Sequence, residues 1–232
     1  MYGTTPITVG VFLVGDGVQM ADVVPVDILG MLSTEYMSVL PPSADPLKAL
    51  ATPMTFVYIT ESGDGPFTLT GGAHVAIQAS VSSAPKLDIL VVPGPPPSYQ
   101  ATEAVKAFIK ATHASGTHVL SICTGIVPVA ASGILDGKIA TAPLGIIPIV
   151  RQFFPAVKWE DTRRWEKAVG ENGAGEVWTS GGVLNGVDLV VAFLREKFVK
   201  PAAEAMIMLA GVSERPREYS EIEKGMGGMS LA

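Results

Sequence analysis

Cysteine is almost missing from this chain: Cys123 is the only one in 232 residues. A lone cysteine forms no internal disulfide, which points to a reducing, cytoplasmic setting. Histidine is sparse too, with only His74, His113 and His118. Charge is low, with 16 Lys and Arg against 22 Asp and Glu and no basic cluster or arginine stripe, so nucleic acid is not an expected partner. No apolar run is long enough to span a membrane, so no membrane partner is expected either. The first apolar run, Ile7–Val14, lacks a basic stretch before it and stops at Gly15-Asp16-Gly17. It reads as a first strand and not as a secretion signal. No His, Cys and acid cluster has metal-ligand spacing, and no Gly-x-Gly-x-x-Gly opens a helix after that strand. No cofactor is therefore expected. Internal repeats and composition shifts are lacking as well, so residues 1–232 read as a single domain.

What the chain does have is apolar residues, 48% of the total, enough for a full core. They fall in short runs divided by helical stretches. Strands are expected at Ile7–Val14, Thr55–Thr60, Leu87–Val92, Val119–Ile122 and Glu176–Thr179, with shorter extended pieces at Ile139–Thr141 and Val157–Trp159. A polar Gly/Asn segment separates Val157–Trp159 from Glu176–Thr179. Phe67–Leu69 and His74–Ile77 form a hairpin-like excursion. Helices are expected at Met20–Met31, Thr102–Ala114, Thr124–Ser132, Gly145–Phe154, Gly186–Phe198 and Pro201–Leu209. Pro25 suits the first turn of its helix, with Asp22 near the cap. Leu40–Met54 is a loop or broken helix, and the charged, glycine-rich tail from about residue 213 is expected to be loosely packed. The core strands lack polar alternation. A mostly parallel sheet with helices on both faces follows: a flavodoxin-like, doubly wound α/β fold.

In such folds ligands sit beyond the carboxyl ends of the strands. Three stretches end strands at that rim: Gly15–Asp22, Pro93–Tyr99 and Cys123–Gly125. Cys123 stands where a buried strand runs straight into a helix, as in a nucleophile elbow. Unsatisfied N–H groups and the helix dipole there favour thiolate. A small buried core thiol is the plain alternative. Asp22 is either a helix cap or, beside a thiol in an apolar pocket, an acid with a raised pKa that handles protons. Thr124 caps the elbow helix or holds a substrate atom. Tyr99 follows a run of prolines and is placed to close over a pocket. Trp165 lies in a charged loop. His113 and His118 lie at the far end of the elbow strand and read as solvated surface.

Four signatures occur in order: Asp88-Ile-Leu-Val-Val-Pro-Gly94, Ser121-Ile-Cys-Thr-Gly125, Ala131-Ser-Gly-Ile-Leu-Asp-Gly137 and Thr179-Ser-Gly-Gly-Val-Leu-Asn-Gly-Val-Asp188. Together they resemble the ThiJ/PfpI superfamily, whose members have a class I glutamine-amidotransferase-like fold. The resemblance runs from Ile7 to about Leu209. The Cys-Thr-Gly elbow is most similar to the branch that includes isocyanide hydratases. The resemblance implies a homodimer, a nucleophilic Cys123 and an acidic partner at Asp22. Gly94, Thr124, Gly125 and Tyr99 are then the expected substrate-binding residues. Two departures stand out. Ala140-Thr-Ala-Pro-Leu144 has no histidine where many members carry one, so a Cys-His-Asp peptidase triad is not expected. Pro93-Gly-Pro-Pro-Pro97 replaces the usual Pro-Gly-Gly and leaves few amides for an oxyanion, chiefly that of Gly94. The reading that follows is a cofactor-free, cysteine-dependent lyase or hydratase acting on a small electrophile. The alternatives are a glyoxalase-like 2-oxoaldehyde hydratase, a dedicated secondary-metabolism enzyme, and a non-enzymatic redox or electrophile sensor.

Overall fold

The computed structural model describes residues 2–227. Among the described residues eleven strands occur in chain order: β1 (Ile7–Phe12), β2 (Met54–Thr60), β3 (Phe67–Thr68), β4 (His74–Val75), β5 (Ala79–Ser80), β6 (Ile89–Val92), β7 (His118–Ser121), β8 (Ile139–Ala140), β9 (Lys158–Trp159), β10 (Trp165–Ala168) and β11 (Val177–Ser180). Seven of them build the central sheet in the order β10-β11-β7-β6-β1-β2-β5. Every pairing in it is parallel except that of β10 with β11. This is the flavodoxin-like arrangement, with its switch point between β1 and β6.

Burial explains the pattern. β6 and β11 are buried at every position, as strands covered on both faces must be. On one face Val9, Val11, Ile89, Val91 and Leu120 pack with helices α1 (Met20–Gly30), α7 (Asn185–Lys197) and α8 (Lys200–Leu209). On the other, Phe12, Leu90, Val92 and Val119 pack with α4 (Glu103–Ala114), α5 (Ile126–Ala131) and α6 (Ile147–Phe153). A short helix not expected from the sequence, α2 (Thr34–Ser38), comes first; the stretch Leu40–Met54 then holds one 3₁₀ turn, Pro42–Ala44, and a single helical turn, α3 (Asp45–Lys48), and is broken as expected.

Several expectations change. The segment read as a polar separator contains β10, an antiparallel edge strand, and Trp165 lies in that strand instead of a loop. Its pattern is hard to read because one of its two buried residues, Glu166, is a charge, paired with Arg163 and Arg217. The short strands β8 and β9 pair only with each other, outside the central sheet. Pro25 falls in the second turn of α1, not the first, and Gln19 is the cap residue. His113 is buried and His118 half-buried, its Nδ1 accepting the Glu176 N–H at 3.1 Å, so neither is solvated surface. The tail expected to be loose is bonded in place through α9 (Glu221–Gly227). Arg164 forms two hydrogen bonds to Glu223, Arg217 lies over the Trp165 ring, and the buried Tyr219 accepts from Asn185 at 2.6 Å. Residues 228–232 of that tail lie outside the described residues.

Candidate active site

The β6–β7 register aligns Val92 with Ser121, so both strands end together, and the Ile122 N–H bonds the Val92 carbonyl at 3.0 Å. The chain must then turn sharply into the next helix. Cys123 takes that turn at a φ of 55°, in the left-handed region that a side chain enters only against strain. A single 3₁₀ turn, Cys123–Gly125, precedes α5. Gly125 is needed here because a Cβ would lie 2.1 Å from the Val92 carbonyl oxygen. Its amide bonds Ile122 at 2.9 Å. Gly125 therefore holds the elbow against β6, and the substrate-binding role expected of it does not follow from this position.

Asp22 reaches the same point from the first turn of α1, across the switch point. Only 1% of it is exposed. Its Oδ2 accepts the Gly94 N–H at 3.2 Å, while Oδ1, also buried, has no hydrogen-bond partner of good geometry. Burial pushes the carboxyl up to about 6, against the smaller downward pulls of the Gly94 amide and the Cys123 thiol. The Gly94 amide, expected to serve an oxyanion, is thus committed to the carboxylate. No side chain fits at residue 94: a Cβ would stand 2.4 Å from Thr124 Oγ1 and 2.8 Å from Asp22 Oδ2.

Burial also pushes the Cys123 thiol up, to about 11, and the Asp22 charge adds to the rise. The amide and hydroxyl of Thr124 pull the other way but do not win. The expected thiolate is therefore absent at rest. The reason is that one short turn of helix start does not offset removal of the sulfur from water beside a carboxylate. At neutral pH the pair rests as thiol and carboxylate, with the base already in place. Thr124 donates its hydroxyl to the Pro95 carbonyl, so it ties the elbow to the proline wall and does not cap the helix.

Tyr99 does not close over the thiol. Its ring packs against Gly15, and it stands between two hollows of about 600 and 350 Å³. Neither hollow is lined by Cys123 or Asp22. On the other side of the elbow, Gly186 at the start of α7 sits beneath Ile122 and Pro25, where a Cβ would come within 2.6 Å of Ile122. Next to it Asn185 bonds Tyr219, and Tyr219 Oη lies 2.2 Å from where a Cβ on Gly181 would be. This rim pair was not found from sequence, because nothing in the local pattern joins residues 34 positions apart. Asp27 is exposed on α1, away from this cluster, and His74 bonds Thr68 on the surface hairpin. Among the described residues no group of three or more His, Cys, Asp or Glu side chains could hold a metal ion.

Residues 30–196 match the model of the DJ-1/PfpI family, a span that holds Gly94, Cys123 and Thr124 and begins after Asp22. No curated protein matches significantly. Solved structures do. DJ-1 of Schizosaccharomyces pombe is 17% identical, with a TM-score of 0.64 over 89% of this chain and 100% of that one. A ThiJ/PfpI family protein from Pseudomonas syringae is 18% identical, with a TM-score of 0.65 over 95% of this chain and 84% of that one. An AraC family transcriptional regulator from Pseudomonas putida is 15% identical, with a TM-score of 0.64 over 88% of this chain and 100% of that one. At these identities the likeness concerns the fold.

Proposed function

Because the chain belongs to the DJ-1/PfpI family, we propose that it is a cofactor-free hydratase of isocyanide-hydratase type, with Cys123 as nucleophile and Asp22 as proton carrier. The observation that carries this reading is the buried Asp22 carboxyl, titrating at about 6 next to a thiol on a strained turn. A base with a pKa near neutrality serves equally well to take and to return a proton. Asp22 removes the thiol proton as the sulfur attacks the terminal carbon of the isocyanide. The S–C bond forms, and Asp22 delivers the proton to that same carbon, leaving a thioimidate. Water then adds to the carbon, and its two protons go one to Asp22 and one to the nitrogen. The C–S bond breaks, the sulfur takes back its proton from Asp22, and an N-substituted formamide leaves. The sum is isocyanide plus water. The raised thiol pKa favours this base-assisted attack over a free thiolate, and it speaks against a peroxide-sensing cysteine. The working unit is a homodimer.

The test is turnover of a small alkyl isocyanide. Cys123→Ser should abolish it with the fold intact. Asp22→Asn should lower it by roughly 10²–10⁴-fold, the usual worth of general acid–base catalysis. For the intact enzyme, kcat/KM should rise with pH through about 6 as Asp22 ionises. Full activity in Asp22→Asn would remove the mechanism. Turnover of a 2-oxoaldehyde but no isocyanide would move the assignment to the glyoxalase-like reaction.

A further inference from the structure

The larger of the two hollows beside Tyr99 takes no part in the chemistry proposed for Cys123. It holds about 600 Å³ and opens beyond the carboxyl ends of β1 and β2, the side of a doubly wound sheet where ligands bind. Leu13 and Val14, both buried, form an apolar floor. Phe67 and Tyr99 supply aromatic walls, and Glu61 and Asp64 stand at the mouth. No Lys, Arg or His lines it. Among the described residues no ion pair involves Glu61 or Asp64. The Glu61 side chain accepts one hydrogen bond, from Thr102 Oγ1 at 2.8 Å, through Oε1.

We propose that this cavity binds an organic cation, an ammonium group carried on an aromatic or aliphatic body. The apolar floor and the two rings take the body, and ring faces with uncompensated carboxylates take the charge. An anion finds no cation here. A bare metal ion finds a lining that is mostly carbon and only two carboxylates, against the six or more oxygens that calcium takes. Backbone detail keeps the aromatic wall in place: Gly15 has a φ of 65°, and a Cβ there would stand 2.9 Å from the Tyr99 ring and 3.4 Å from Pro95. The Pro95 carbonyl in turn holds Thr124, the residue after Cys123. The Pro95 segment thus lies between the cavity's Gly15 and the elbow, while the cavity lining itself includes neither Thr124 nor Cys123. Binding in the cavity does not depend on the reaction proposed for Cys123.

The test is calorimetric titration of the full chain with 2-phenylethylammonium and with butylammonium, using 2-phenylethanol as the uncharged control. At least one ammonium should bind saturably at one site and the alcohol more weakly. The Glu61→Gln/Asp64→Asn variant, which keeps the shape and removes the charge, should weaken ammonium binding by roughly tenfold and leave the alcohol unchanged. Tyr99→Leu should weaken the aromatic amine and serves as an independent check should the double variant not fold. Absence of saturable binding by both amines up to about 5 mM would overturn the proposal. So would undiminished amine binding in the folded variants. Calcium binding that the double variant abolishes, with no amine binding, would overturn it in favour of a metal site.

Discussion

At the scale of single residues, the decisive quantity is the mutual effect of Asp22 and Cys123. Both pKa values rise for the same first reason, burial, and the carboxylate charge then raises the thiol further. Asp22→Asn removes that charge, so the pH midpoint for iodoacetamide labelling of Cys123 should fall below its value in the intact protein. A midpoint that stays or rises would contradict the coupling. The same substitution bears on stability. A carboxyl whose pKa is raised on folding, from 3.8 to about 6, stabilises the fold below pH 3.8 relative to higher pH. That contribution is lost as pH climbs through about 6. Ionised Asp22 then costs the folded state up to about 3 kcal/mol, a little over two pKa units at 1.36 each. Asp22→Asn should therefore raise the melting temperature at pH 7 and change it little at pH 4, whereas an ordinary cap would show little change at either pH because asparagine caps as well as aspartate. Asp22 was legible in the sequence as an acid beside a thiol; that it is not the cap, and that the thiol stays protonated, was not. Both depend on what else the fold brings to the same buried point.

Among the elements, the elbow and the C-terminal strap behave differently. The elbow was readable because an apolar run meeting Cys-Thr-Gly is a local signal. Its tightness was not, since it depends on the Val92 carbonyl from another strand. Gly125→Ala forces a Cβ into that carbonyl, and overpacking of this kind costs about 1–3 kcal/mol or more. The variant should melt at lower temperature and lose activity; a stable, active Gly125→Ala would show that the elbow has room to shift. The strap looked loose because its charges and glycines carry no periodic pattern. It is held by Arg164, only 5% exposed and joined to Glu223, whose carboxyl is held down at about 2 by Arg164 and Ser220. A carboxyl lowered on folding contributes above its unfolded pKa of 4.5, and the contribution is lost as pH falls through about 2. The clasp should thus hold throughout the ordinary range. Glu223→Gln should release it at neutral pH, with trypsin cutting after Arg217 faster than in the intact protein. Equal cleavage rates would place the restraint elsewhere.

For the whole molecule, the parallel order β2-β1-β6-β7-β11 explains why residues about a hundred positions apart share one site. Each crossover returns its strand in the same direction, so every carboxyl end opens on one rim. None of the described helices is long and apolar enough to cross a membrane. The surface keeps large apolar side chains in the open, Phe153 at 70% and Ile149 at 52% on α6 among them. A homodimer is proposed, and sedimentation at micromolar concentration should give the dimer mass. A single monomeric species would remove that proposal and leave the site as described, because the contacts of Asp22, Gly94 and Cys123 given above lie within one chain.

The amino-acid order alone determined the fold class and which residue is the candidate nucleophile. Apolar runs without polar alternation demand strands covered on both faces, and one cysteine at a strand end leaves no rival thiol. Only the tertiary structure decided the state of that thiol, the commitment of the Gly94 amide to Asp22, and the placement of Tyr99 beside a cavity away from Cys123. Those depend on desolvation and on distances between separate strands, which act through space and leave no trace in the spacing of residues along the chain.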